Sequence, residues 1–170
     1  MPVISGRFGD ELMTQTPSGA PLTLPWLAEL AAHCDWPDIV LTRISAADMQ
    51  LELAVNDDLH WFSGHFPGTP ILPGIVQTHW AATLSKILLR EHQSEATENS
   101  LQTSASAEDE FRCDNLKFLE PVLPNTIVRL FLTVKHPTKV AFEYQSGNAQ
   151  DAILHSKGTC VFADLAEYNL

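Results

Sequence analysis

Basic residues are scarce in this sequence: ten Lys and Arg stand against 21 Asp and Glu, a formal net charge of −11. Nucleic-acid binding needs a positive footprint, so that function class is excluded. An anionic membrane surface is disfavoured for the same reason. Long apolar runs are missing too; none approaches the ~20 residues that a membrane-spanning helix needs. The N-terminal stretch MPVISGRFGDELM has no basic segment followed by an apolar core, so it does not read as a secretory signal, and the cytoplasm is the expected location. Cysteine is sparse. Cys34, Cys113 and Cys160 are odd in number, far apart and without CxxC spacing, which favours neither a disulfide framework nor a zinc site.

What is present fits one domain: 170 residues, 45% of them hydrophobic, suffice to bury a real core. Residues 1–37 read as an N-terminal extension. Gly, Pro, Ser and Thr dominate up to Pro25; PWLAELAAHC then has the length and the early proline of a short helix. It is expected either to lay Trp26 and Leu30 on the body as a surface extension or to serve as a lid or dimer arm. Residues 38–170 form the main domain. In DMQLELAV, Met49, Leu51, Leu53 and Val55 alternate with polar or small residues, the pattern of a half-buried strand. Ile39–Ile44 can pair with it through a turn at Ser45–Asp48. Phe111–Phe118, Ile127–Val134, the Val140/Phe142/Tyr144 run and a last strand carrying Leu154, Cys160 and Phe162 predict more strands, with a hairpin at Gly147–Asn148. Gly74–Glu91 predicts one helix, apolar nearly all round and therefore buried. His92–Glu110 is polar and aperiodic, a surface loop. One buried helix and several long antiparallel strands give an α+β fold, a curved sheet wrapped around the helix.

The most constrained stretch is Trp61–Trp80, WFSGHFPGTPILPGIVQTHW. Pro67, Pro70 and Pro73 exclude ordinary helix or inner-strand pairing. Pro73 suits a first helical position, because its missing N–H would be unpaired there anyway. The N–H groups of Gly74 and Ile75 then lie at the positive end of a helix dipole, an end that favours a carbonyl oxygen gaining negative charge. His65, nine positions before Gly74, is placed to carry a proton. Ile75, His79 and Thr83, spaced by four, share one helix face, with His79 in otherwise dry surroundings. His65 and His79 with His60 or Asp58 match no known metal-ligand spacing, so no metal is expected.

GHFPGTPILPG resembles the signature of the hotdog-fold 3-hydroxyacyl-[acyl-carrier-protein] dehydratases of the FabA/FabZ type. LKFLEPVLP at 116–124 is similar to that family's KFxxPVxP strand, and the likeness covers roughly residues 38–163. The ILPG followed by Gln77 and Trp80 most resembles the thioester-dehydratase subgroup of aryl-polyene lipid clusters. The resemblance implies a hotdog fold, a homodimer or an assembly of dimers, and a 3-hydroxyacyl thioester borne on the phosphopantetheine of an acyl carrier protein or coenzyme A, with no further cofactor. It implies that His65 removes the Cα proton while Gly74 N–H binds the carbonyl. Phe66, Pro73, Ile75 and Thr83 complete the expected substrate contacts.

One position departs from the family. Its catalytic Glu or Asp follows the motif histidine by fourteen residues, and here that place holds His79. Three functions therefore stay open: a dehydratase using His65 and His79, a hotdog acyl thioesterase, and a non-catalytic acyl-thioester-binding homologue. The dehydratase, forming a trans-2-enoyl thioester for fatty-acid or polyene-type lipid synthesis, is preferred. An acyl carrier protein is acidic, so docking requires a local basic patch. Eight of the ten bases lie from Lys86 onward, among them Arg90, Arg112, Lys117, Arg129, Lys135 and Lys139.

Overall fold

Alternation along the strands decides which way the sheet faces. In the computed structural model, β1 (Asp38–Ile44), β2 (Asp48–Val55), β3 (Phe111–Phe118), β4 (Thr126–His136), β5 (Lys139–Ser146) and β6 (Ile153–Phe162) form one antiparallel sheet of order β1-β2-β4-β5-β6-β3. The description covers residues 25–31, 33, 35–45, 47–94 and 111–163. Expectations for residues 1–24, for Cys34 and for most of the polar stretch after the helix lie outside the described residues. Met49, Leu51, Leu53 and Val55 are buried, as the alternation predicts, and so are Val128, Leu130 and Leu132 on β4. The 146–151 hairpin turns at Gly147, whose φ of 82° a side chain would resist. Asn148 closes it by accepting the Gln150 and Asp151 N–H groups at 2.9 Å each.

One row of side chains crosses the whole sheet. Leu41 pairs with Leu51, Leu51 with Leu130, Leu130 with Tyr144, Tyr144 with Ser156, and Ser156 with Phe118. Directly opposed residues in an antiparallel sheet share a face, so this row presents six side chains to one side. All are buried except Phe118. The long helix α2 (Gly74–Ser94) lies on that side and fills the core with Val76, Trp80, Ala81, Leu84 and Leu88. The architecture is the hotdog fold: a curved antiparallel sheet around one central helix.

Two expectations for the helix change. It runs three residues past Glu91, to Ser94. It is also not dry all round: Ile75 is 75% exposed, His79 is exposed, and the buried face includes Gln77, Thr78 and Ser85. Period rather than composition sets this, because residues four apart share a face and every turn of α2 offers one residue away from the sheet. The predicted short helix exists as α1 (Pro25–Ala31), with Leu27 in the core and Trp26 and Leu30 packed against it. Trp36 follows and stacks on Trp80, ring centroids 5.9 Å apart. The indole N–H groups of Trp61 and Trp80 both donate to the Asp35 carbonyl, at 2.9 and 3.1 Å. This knot ties the entry to β1 to the start of the proline-rich loop and to the body of α2.

Adjacent residues on α2 should therefore respond oppositely to truncation. Trp80→Ala is expected to cost about 3–5 kcal/mol in urea unfolding, and His79→Ala no more than about 0.5 kcal/mol. Equal losses would contradict the described helix orientation.

Candidate active site

The loop before α2 is organised by its own backbone. Phe66 and Thr69 exchange N–H···O bonds of 3.3 and 3.1 Å around Gly68, whose φ is 82°. The Ile71 N–H donates to the His65 carbonyl at 2.9 Å. In return, His65 Nδ1 lies 3.2 Å from the Ile71 carbonyl oxygen. A carbonyl only accepts, so Nδ1 carries the hydrogen, and in the neutral ring the lone pair lies on Nε2. The same peptide unit is held from its other end, where the Leu72 N–H donates to the Val122 carbonyl at 2.8 Å. The Ile71–Leu72 plane is thus fixed by His65 on one side and by the β3–β4 connection on the other.

Pro73 then opens α2. Its carbonyl accepts from Val76 and Gln77 N–H at 3.1 and 3.3 Å. The N–H groups of Gly74 and Ile75 precede any helical acceptor and point out of the positive end of the helix. Phe118, the edge member of the six-strand row, lays its ring across this end. A Cβ built on Gly74 would sit 2.5 Å from the ring Cζ, so any side chain here would have to displace the Phe118 ring, and close approach rather than φ favours glycine. Phe118 itself is 50% exposed, and Phe66 stands beside His65 with ring centroids 4.1 Å apart. Of the expected substrate contacts, Phe66 flanks the His65 ring, while Pro73, Gly74 and Ile75 follow at the helix start, linked to His65 through Ile71.

His79 and Thr83 belong to a different neighbourhood. The His79 ring faces Trp36, with centroids 6.1 Å apart, and lies exposed rather than in dry surroundings. Among the described residues no hydrogen bond or ring contact joins it to His65. Thr83 lines a groove of about 350 Å³ with Trp26, Leu30, Lys86, Ile87 and Arg90. His60 Nδ1 is 3.1 Å from an Asp35 carboxylate oxygen, and among the described residues no three His, Cys, Asp or Glu side chains converge as metal ligands. Cys113 and Cys160, distant in sequence, face each other across β3 and β6 as free thiols. Burial pushes the Cys160 thiol up to about 12 and raises Cys113 as well, so both remain protonated at neutral pH.

Sequence reasoning missed Phe118, Trp36 and Gln77. Phe118 lay inside the LKFLEPVLP segment, but only the strand register shows that it meets Gly74. Gln77 entered the sequence reading only through the ILPG resemblance, without any hint of its partners. Gly74→Ala is expected to cost about 1–3 kcal/mol by overpacking. Much of that cost should vanish in a Phe118→Ala background, with a coupling of about 0.5–3 kcal/mol. Additive costs in urea unfolding would show that the ring does not set the glycine requirement.

Known proteins bear on this corner. A dehydratase from Geobacter metallireducens, 3-hydroxyacyl-[acyl-carrier-protein] dehydratase FabZ, is 36% identical over 70 residues, 41% of this chain and 43% of that protein. The FabZ of Erythrobacter litoralis is 24% identical over 135 residues, covering 76% of this chain and 85% of its own. The chain thus spans less than half the length of the first of these relatives. Among solved structures, the dehydratase heterocomplex ApeI:P from Xenorhabdus doucetiae matches with a TM-score of 0.53 at 20% identity, over 73% of this chain and 94% of that one. The family model described as ApeI-like, ApeI dehydratase, matches residues 42–158. That span holds His65, the LPG helix start, Phe118 and the strands that support them, and the chain belongs to the ApeI-like dehydratase family.

Proposed function

We propose that this chain is a 3-hydroxyacyl-thioester dehydratase that forms a trans-2-enoyl thioester in the cytoplasm, for fatty-acid or polyene-type lipid synthesis. The observation that carries the reading is the His65 Nδ1–Ile71 O pairing, made three residues before α2 begins at Gly74, which in the neutral ring puts the lone pair on Nε2. The thioester carbonyl accepts the Gly74 N–H, aided by the helix dipole, and enolate-like charge gathers there. His65 Nε2 takes the Cα proton. The Cβ–O bond then breaks, the Cα=Cβ double bond forms, and a proton donor converts the departing hydroxyl to water. No cofactor takes part; the acyl group arrives on a phosphopantetheine arm.

His79, as imidazolium, is the proposed donor, and it acts from a second copy of the chain. Its exposed position on α2, one helical turn on from the 75% exposed Ile75, suits a group completed by a partner subunit. A second reading has a different subunit supply a carboxylate in its place. It is favoured by the imidazole standing where the wider family has an acid, and by the named heterocomplex of the Xenorhabdus relative. Thioester hydrolysis is less favoured, because a water nucleophile needs a carboxylate base and α2 carries none before Glu91.

Incubation with a 3-hydroxyacyl thioester, followed by enoyl absorbance and free thiol, tests this directly. Enoyl product without thiol is expected, and His65→Ala and His79→Ala should each lose about 10²–10⁴-fold in rate. Free thiol alone would establish a thioesterase instead; full activity in His79→Ala would remove that residue from the mechanism. Carrier docking is proposed at Lys117, exposed one residue before Phe118. Lys117→Glu should raise KM for a carrier-borne substrate, with a weaker salt dependence, and leave a free pantetheine thioester unaffected. An equal change for both substrates would place the carrier elsewhere.

A further inference from the structure

Gln77 is 3% exposed, a buried amide in the first turns of α2. Three elements grip it. The Tyr144 hydroxyl on β5 donates to its backbone carbonyl at 2.9 Å, and the Ser156 hydroxyl on β6 donates to its side-chain Oε1 at 2.6 Å. Tyr144 and Ser156 are directly paired across the sheet, so one cross-strand pair fixes both ends of the residue. Its Nε2 reaches back to the Leu72 carbonyl at 3.4 Å.

That last bond has a particular value. The Leu72–Pro73 peptide has no N–H, and among the described residues no backbone N–H is bonded to Leu72 O, the Val76 and Gln77 N–H groups both being used by Pro73 O. Leu72 O therefore depends on Gln77, and a buried acceptor left alone costs about 1–3 kcal/mol. The preceding peptide, Ile71–Leu72, is the one that holds His65 Nδ1. The amide orientation is also unambiguous: reversed, Oε1 would face the Leu72 oxygen, acceptor against acceptor.

We infer that Gln77 is a positioning residue, which transmits the sheet's Tyr144–Ser156 pair to the Leu72 carbonyl and so sets the His65 ring and the helix start in register. The inference rests on the dehydratase reading of this corner. Gln77 touches no reacting atom; it acts through Leu72 and Ile71. The titratable group in contact with it among the described residues is Tyr144, whose phenol burial holds well above its ordinary range, so it stays a donor at working pH.

The test compares Gln77→Leu, Gln77→Glu and Ser156→Ala in the full chain. Gln77→Leu should lower kcat by about 10–100-fold, as a small misplacement does, with little change in KM and a ratio to wild type that is flat with pH. A carboxylate at 77 meets Leu72 O as a second acceptor, but its neutral form donates to Leu72 O and still accepts from Ser156. Gln77→Glu should therefore be impaired at alkaline pH and recover toward wild type as pH falls. Ser156→Ala, which frees one end of the amide, should lie between. Ring ¹⁵N NMR of labelled histidine supplies a readout independent of turnover: Nδ1-protonated His65 in wild type, a mixture of tautomers in Gln77→Leu. A flat Gln77→Glu profile, or an unchanged His65 tautomer in a folded Gln77→Leu protein, would overturn the inference. If wild type lacks dehydratase activity the functional reading fails, while the NMR result still decides the role of Gln77.

Discussion

One peptide plane carries the geometry of this corner. The Ile71–Leu72 unit gives its oxygen to His65 Nδ1 and its N–H to the Val122 carbonyl. Neither bond is worth more than about 0.5–1.5 kcal/mol in net stability. Their joint effect is directional. The first fixes which nitrogen of the imidazole carries hydrogen; the second fixes where that imidazole sits relative to the sheet. The prolines on either side remove alternative backbone partners, so the plane has few other ways to be satisfied.

The sheet meets the helix start through the same logic. A single row from Leu41 to Phe118 changes character along its length: aliphatic under the body of α2, then Tyr144 and Ser156 beneath Gln77, then an aromatic ring over Gly74. Apolar burial holds the helix against the sheet, while the polar pair stops it from sliding or rotating, since a shifted helix would leave buried groups unpaired. Phe118 closes the end. Around that end Phe66, Ile75, Phe118, Leu119 and Leu123 are large apolar residues left exposed on the single chain. Apolar exposure of this kind is the usual mark of a surface that meets a ligand or a partner.

Much of this was legible in the sequence. Period-two alternation placed β2 and the buried face of β4, and the LPG step placed the first residue of α2, because proline and glycine act locally. The loop chemistry of His65 was legible for the same reason: its partner, Ile71, is six residues away. What resisted was set by register. That Phe118 would cover Gly74, that Ser156 would find Gln77 and that Cys113 would face Cys160 depends on which strand neighbours which, and no local pattern carries that information. His79 resisted for another reason. Composition made its helix look buried throughout, while one face of α2 is left uncovered by the chain's own sheet.

The account stands on a carbonyl oxygen meeting the start of α2 while the adjacent carbon meets the imidazole. A crystal structure with a non-hydrolysable 3-hydroxyacyl-pantetheine amide tests this most directly. The account predicts the amide carbonyl within hydrogen-bond distance of Gly74 N, with its α-carbon against His65 Nε2. A carbonyl bound elsewhere, or an acyl group seated away from the His65 ring, would contradict it.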